Sequence, residues 1–201
     1  KVDLTEVSRL ARLGSGSASR SVFGGFAMWQ KGQTDHDSFA FSLEKKPQLD
    51  LNLLAIELDF AEKKIASTAG MQHVVATSPF YQTWSAQADL DVQAMIAAIR
   101  ANDFTQIGAI AERSAISMHA LNMTADPWFS YLTPTTLQAI NLVQELRQNG
   151  VECYVTIDAG PNIKILCQTK NIKKIEQRFR EELNNARIIR ATFGPGVKYL
   201  D

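Results

Sequence analysis

Apolar and polar positions change period several times along the chain. Leu4, Val7, Leu10 and Ala11 recur at helical spacing, which predicts an amphipathic helix at the start. After a glycine- and serine-rich stretch, "SVFGGFAMWQKG" is aromatic and β-branched, and it predicts a strand kinked at Gly24–Gly25 and ended by Gly32. "SFAFSLEKK" alternates Phe39, Phe41 and Leu43 with smaller residues, the pattern of a half-buried strand. "LNLLAIELDF" is a more continuous apolar run, suited to a strand covered on both faces, and Lys63 and Lys64 follow it.

In the middle the period becomes helical. Val92, Met95, Ile96 and Ile99 form one apolar face, and Phe104, Ile107, Ala111, Ala115 and Met118 form another. A third helix has Thr133 as its N-cap, Pro134 in first position, Leu137, Ile140 and Val143 turned inward, and Gly150 as its stop. The period then returns to two: Val151, Cys153, Val155 and Ile157 alternate with polar neighbours, "DAGPN" turns the chain, and "IKILCQ" runs back. Ile172, Ile175, Phe179 and Leu183 mark a last helix before the closing strand of "RIIRATFGPGVKYL". Strands, helices, hairpin, helix, strand is an α+β order, with a mostly antiparallel sheet covered by a helical layer.

Composition narrows the function. The 201 residues are 45% hydrophobic, enough for one globular domain or two small ones. Twenty-one basic residues balance twenty-one acidic ones, so no overall field selects nucleic acid or an anionic membrane, and any anion site is local. Cys153 and Cys167 each sit in a strand-like run and read as buried thiols of a cytosolic protein, with a disulfide between neighbouring strands as the alternative. No apolar segment approaches the ~20 residues that span a bilayer, and no signal-peptide pattern opens the chain, so a soluble protein is expected. The start at Lys1, without methionine, fits either processing or a cut within a longer protein.

The candidate chemistry is concentrated in short stretches. "ARLGSGSASRS" sets Arg12 and Arg20 around small and hydroxyl-bearing residues, which suits either a phosphate or carboxylate site or a structural loop. Its spacing matches neither the P-loop nor the dinucleotide fingerprint. Asp158, ending a strand beside a Gly-Pro turn, either presents a carboxylate to a cleft or bonds the amides of its own turn. "AST" at Ala66–Thr68 opens a short helix, its N–H groups offered to a phosphate or to the Ser67 or Thr68 hydroxyl. His36, His73 and His119 show no metal-ligand spacing, and His119 reads as a satisfied helix histidine. Phe80, Tyr81, Trp84, Trp128 and Phe129 lack interleaved basic residues and read as core.

Taken together, "ARLGSGSASRSVFGGFAMWQKG", "STAGMQHVVATSPFY", "MHALNMTADPWFSYLTPTT" and "TIDAGPNIKIL" closely resemble the diphosphomevalonate decarboxylases of the GHMP kinase superfamily, from about Leu4 to the end. The resemblance covers the later part of such an enzyme. It implies a GHMP-kinase-like α+β fold, with residues 1–65 as the end of an N-terminal domain and residues 66–201 as the C-terminal domain. It also implies an ATP- and magnesium-dependent conversion of mevalonate 5-diphosphate to isopentenyl diphosphate, phosphate and carbon dioxide. On that reading Asp158 faces the tertiary hydroxyl and Arg20 holds the substrate carboxylate. Ser15, Gly16 and Ser17 line the diphosphate pocket, and Ser67 meets a phosphoryl oxygen. Magnesium ligands are not named by it. A cytoplasmic homodimer is implied, as is a missing N-terminal segment that carries the ATP loop, without which the 201 residues are expected to be inactive. Ser19 stands where the family often has cysteine. The alternatives are a related small-molecule kinase and a non-catalytic anion-binding module.

Overall fold

The protein is described by a computed structural model covering residues 3–59 and 65–198, so Lys1, Phe60, Lys63 and Lys64 lie outside the described residues. The chain divides into two compact units, residues 1–49 with 192–201, and residues 50–191. This division departs from a cut after residue 65 in two respects. The strand expected at the end of the first domain pairs inside the second unit, and the last residues return to the first.

In the first unit, α1 (Leu4–Gly14) is followed by the short α2 (Ala18–Ser21), then by β1 (Phe26–Trp29) and β2 (Ala40–Glu44), which pair antiparallel. Ser21 therefore ends a helix and does not begin a strand. The kink at the two glycines is real: Gly25 has φ +67°, and a Cβ there would stand 2.1 Å from the Glu44 carbonyl oxygen. The C-terminal segment closes beside it, with Gly25 N–H donating to Gly194 O at 3.2 Å and Phe23 bridging Gly196.

The apolar faces of this unit are shifted from expectation. Leu10 and Leu13 of α1 are exposed, whereas Ser8 is fully buried and its Oγ accepts the Ala40 N–H at 2.7 Å. At the start of β2 and just before it, the small Ser38 and Ala40 are buried and Phe39 and Phe41 are half-buried. A hydrogen bond between helix and strand requires close approach, and only small side chains leave room for it.

The second unit holds a four-stranded antiparallel sheet in the order β4 (Cys153–Ile157), β5 (Ile163–Cys167), β3 (Asn52–Glu57), β6 (Arg187–Ala191). Between β3 and β4 in sequence run α3 (Ser67–Thr77), α4 (Tyr81–Arg100), α5 (Phe104–Thr124) and α6 (Pro134–Gln148), and α7 (Ile172–Glu182) precedes β6. Alternate residues Leu54, Ile56, Cys153, Val155, Ile163 and Ile165 line one sheet face and pack with Ile140, Val143, Ile175 and Phe179 of α6 and α7. That face is the main core. β3 is less enclosed than its composition suggests, since Leu53 and Ala55 on the other face are half-buried.

The helix termini follow local chemistry. Thr133 accepts from Thr136 N–H at 3.2 Å in a reciprocal capping box with Pro134 behind it, and Gly150 stops α6 at φ +78°. Two inward assignments fail: Val92 and Leu137 are exposed. On α4 Asp91 is buried beside that position, and its carboxylate accepts from Arg113 at 2.8 Å and Gln87 at 2.9 Å, so an ion pair occupies a site the apolar pattern misses. Tyr81, Trp84 and Phe129 pack around Val74 and Leu121, whereas Phe80 and Trp128 are exposed.

Strand β4 lies at the sheet edge, and α5 and α6 close that edge with side chains. Glu112 Oε2 accepts the Val155 N–H at 2.8 Å, and Arg147 Nη1 donates to the Cys153 carbonyl at 2.8 Å. The two side chains are joined in a double hydrogen bond of 2.8 and 3.1 Å. Both cysteines are free thiols, opposite one another across β4 and β5 and fully buried. Among the described residues no helix is long and apolar enough to cross a membrane.

Candidate functional site

The glycine- and serine-rich segment is a tightly bonded turn between α1 and α2. Ser15 is extended at φ −161°, ψ 132°, and its N–H still donates to Ala11 O at 3.1 Å. The chain then turns through Ala18 N–H to Ser15 O at 3.0 Å and Arg20 N–H to Ser17 O at 3.1 Å. Ser19 is fully buried and spends its hydroxyl on Gly16 O at 2.6 Å, a structural bond that leaves it no part in ligand contact. Gly16 is required by packing, because a Cβ there would stand 2.8 Å from the Trp29 ring.

What the turn exposes is polar. The Ser15 and Ser17 hydroxyls lie 3.0 Å apart on the surface, and the exposed Arg20 has no ion pair among the described residues. Arg12 is differently placed. With Arg9 it grips Asp35, and Arg9 also bonds Glu6 at 2.7 and 2.9 Å. The stretch that contains two arginines thus offers one of them. An exposed guanidinium on the same short turn as two exposed hydroxyls and a glycine suits an oxyanion.

Ser67 and Asp158 belong to separate elements of the second unit. Ser67 is the first residue of α3, after Ala66 at φ −62°, ψ 143°, and no side chain caps that end. Among the described residues neither the Ser67 nor the Thr68 hydroxyl makes a capping bond at that end.

Asp158 follows the last residue of β4. Among the described residues its side chain makes no bond to its own turn, which other residues hold in place. Asn162 Oδ1 accepts the N–H groups of Leu58 at 2.7 Å and Asp59 at 3.0 Å, and Thr136 Oγ1 donates to Pro161 O at 2.8 Å. The Asp158 side chain is 82% exposed and ion-paired with Lys164. Sequence reasoning missed Lys164, though the hairpin register held the signal. Lys164 pairs with Thr156, so Lys164 and Asp158 are diagonal neighbours on one face.

Behind Asp158 lies a group that departs from expectation. His119 on α5 is 3% exposed, and burial pushes its ring below the usual histidine value, opposed by the facing main chain of Ile157 and Asp158. Those carbonyls favour the charged ring, yet neither ring nitrogen reaches hydrogen-bond geometry with a partner among the described residues. His119 is thus not a satisfied helix histidine. Among the described residues no three His, Cys, Asp or Glu side chains gather as a metal site.

Comparison with known proteins places these features in context. Residues 55–195 match the mevalonate 5-diphosphate decarboxylase C-terminal domain, and residues 1–40 match the diphosphomevalonate decarboxylase-like N-terminal domain. The diphosphomevalonate decarboxylase of Ganoderma lucidum is 32% identical over 94% of this chain and 50% of its own length. The mevalonate diphosphate decarboxylase of Staphylococcus aureus superposes with a TM-score of 0.93 at 38% identity, covering 100% of this chain and 61% of that one. The protein called MDDEF, solved with MVAPP, AMPPCP and magnesium, superposes with a TM-score of 0.92 at 40% identity over 98% of this chain and 60% of that one. The α+β fold is the GHMP-kinase-like fold of those structures. The chain spans about half the length of the curated relatives it matches. With a domain match over most of its residues, the chain belongs to the mevalonate 5-diphosphate decarboxylase family.

Proposed function

We propose that a protein carrying this chain performs the ATP-dependent decarboxylation of mevalonate 5-diphosphate to isopentenyl diphosphate, phosphate and carbon dioxide. The observation that carries the reading is the exposure of two charged groups: Arg20, with no ion pair among the described residues, and Asp158, whose turn other residues hold and whose carboxylate stands exposed beside Lys164. The substrate diphosphate lies against Ser15, Gly16 and Ser17. Arg20 holds the substrate carboxylate with its planar fork, and Ser67 meets a phosphoryl oxygen at the open end of α3. ATP supplies the phosphoryl group.

Asp158 is assigned to the tertiary hydroxyl of the substrate. A tertiary alcohol is far too weak an acid for a carboxylate to deprotonate beforehand. The proton therefore moves late, and positioning with charge stabilisation does most of the catalysis. Arg20 then keeps the carboxylate aligned with the leaving phosphate. The metal seen with MDDEF supports magnesium as a companion of the nucleotide. The described residues form no metal cluster, so no step is assigned to an ion held by this chain. A cytoplasmic homodimer completes the proposal.

Release of carbon dioxide from carboxyl-labelled substrate tests it. Asp158→Asn is expected to lower kcat by about 10²–10⁴-fold with near-normal substrate affinity, and Arg20→Ala to weaken binding and slow turnover together. ADP formation without carbon dioxide would identify a kinase instead, and wild-type turnover in both variants would refute the residue assignments.

A further inference from the structure

The edge of β4 is covered by side chains in a regular way, and the last of them has no assigned role. In an antiparallel strand the main-chain groups of alternate residues point to the same side. Cys153 C=O and Val155 N–H both point away from β5, where Arg147 and Glu112 take them up. The groups of Ile157 therefore face the same way. What stands opposite them is His119, seven residues and two turns beyond Glu112 on α5.

His119 is not alone there. Asn122, one turn further along α5, is 3% exposed, and its Nδ2 has no hydrogen-bond partner among the described residues. The Tyr131 ring stands edge-on to His119 with centroids 6.2 Å apart, and its buried hydroxyl is likewise unpartnered. That hydroxyl lies against the first turn of α3, where a Cβ on Gly70 would be 2.4 Å from it. Buried polar groups without a partner are rare in folded proteins, and each calls for a physical reason. Here four unpartnered polar atoms lie on His119, on the residue one turn beyond it and on the ring beside it, and of the three His119 faces the strand end that presents Asp158.

We propose that His119 is a positioning residue, whose polar ring, set against the outward main-chain end of β4 and backed by the Tyr131 ring, fixes the direction in which Asp158 leaves the strand. The proposal rests on the reading of Asp158 as the carboxylate that meets substrate. His119 touches no reacting atom. Its effect passes through the carbonyls of Ile157 and Asp158, and the polarity of the ring matters more than its bulk.

Two substitutions separate polarity from packing in the protein carrying this chain. His119→Phe keeps a ring and removes the polar atoms, and His119→Gln keeps a polar group and loses the ring. The kcat for carbon dioxide release is expected to fall by up to about 100-fold in His119→Phe with KM unchanged, and to recover in part in His119→Gln. Equal or better turnover in His119→Phe than in His119→Gln would overturn the proposal, since that is the order a packing role produces. Amide hydrogen exchange across residues 157–162 gives a readout independent of the reaction. Faster exchange there in His119→Phe, with the β3–β6 pair unchanged, supports the positioning role even if the wild-type protein releases no carbon dioxide, whereas unchanged exchange at 157–162 overturns it.

Discussion

Replacing Glu112 with alanine should loosen the strand that carries Asp158. The carboxylate makes one hydrogen bond of 2.8 Å to the Val155 N–H and two, of 2.8 and 3.1 Å, to Arg147. Val155 is 1% exposed, and the side chains of Glu112 and Arg147 are 20% and 31% exposed. Losing a hydrogen bond to a charged acceptor costs about 1.5–3 kcal/mol, and an orphaned buried N–H costs about 1–3 kcal/mol. The two overlap, and water entering the vacated volume restores part of the loss, so the net cost is about 2–3 kcal/mol. At about 2–4 °C per kcal/mol for a chain of this size, the melting temperature should drop by roughly 5–10 °C. Glu112→Gln keeps an acceptor for Val155 and loses only the charge, so its cost should stay near about 1 kcal/mol. Urea unfolding followed by circular dichroism measures both. A change below about 0.5 kcal/mol for Glu112→Ala, or equal destabilisation by the two variants, would refute the assignment of this carboxylate as the cover of the strand edge.

Other consequences are open to direct measurement. Lys164→Met removes the partner of an exposed carboxylate, so stability should change by less than about 1 kcal/mol and turnover only a few-fold; a loss as deep as that of Asp158→Asn would mean that Lys164 itself contacts substrate. Gly70→Ala places a methyl group 2.4 Å from the Tyr131 hydroxyl and should destabilise the fold by about 1–3 kcal/mol in calorimetry, and an unchanged melting point would contradict that packing. Burial pushes the thiols of Cys153 and Cys167 up to about 12 and about 11, so both should resist thiol reagents in the native state at pH 8. Each thiol ionises first in the unfolded chain. Stability is therefore full below the ordinary thiol value and falls as pH rises from about 9 toward 11, by up to about 1.4 kcal/mol per pH unit and thiol. A Cys153→Ala, Cys167→Ala double variant should lose that dependence.

The features legible in the chain are those whose cause lies within a few residues. Thr133, Pro134 and Gly150 announce the two ends of α6 because caps and stops are local bonds and local dihedral preferences. "DAGPN" between two alternating runs announces the β4–β5 hairpin for the same reason, and Ile172, Ile175 and Phe179 on α7 and Leu183 at its C-cap are all buried as their spacing requires. The motifs that mark the family are local in the same sense. Each contains a turn or a helix end rich in its own glycines, prolines and hydroxyls.

Partners distant in sequence are settled by packing instead. Ser8, Ala40 and Asp91 are buried although the apolar pattern points to Leu10, Phe41 and Val92, because a hydrogen bond or ion pair from elsewhere in the unit compensates the polar group. The same holds at the candidate site. Composition shows two arginines around a run of serines, but Asp35 engages Arg12 and leaves Arg20 available. Sequence equally shows an aspartate at a turn, but Asn162 and Thr136 hold that turn and leave Asp158 free for Lys164. Local periodicity specifies which elements form and which residue types a site contains. Which of those residues stays available for chemistry depends on contacts spanning tens of residues, and no window of the sequence contains both ends of such a contact.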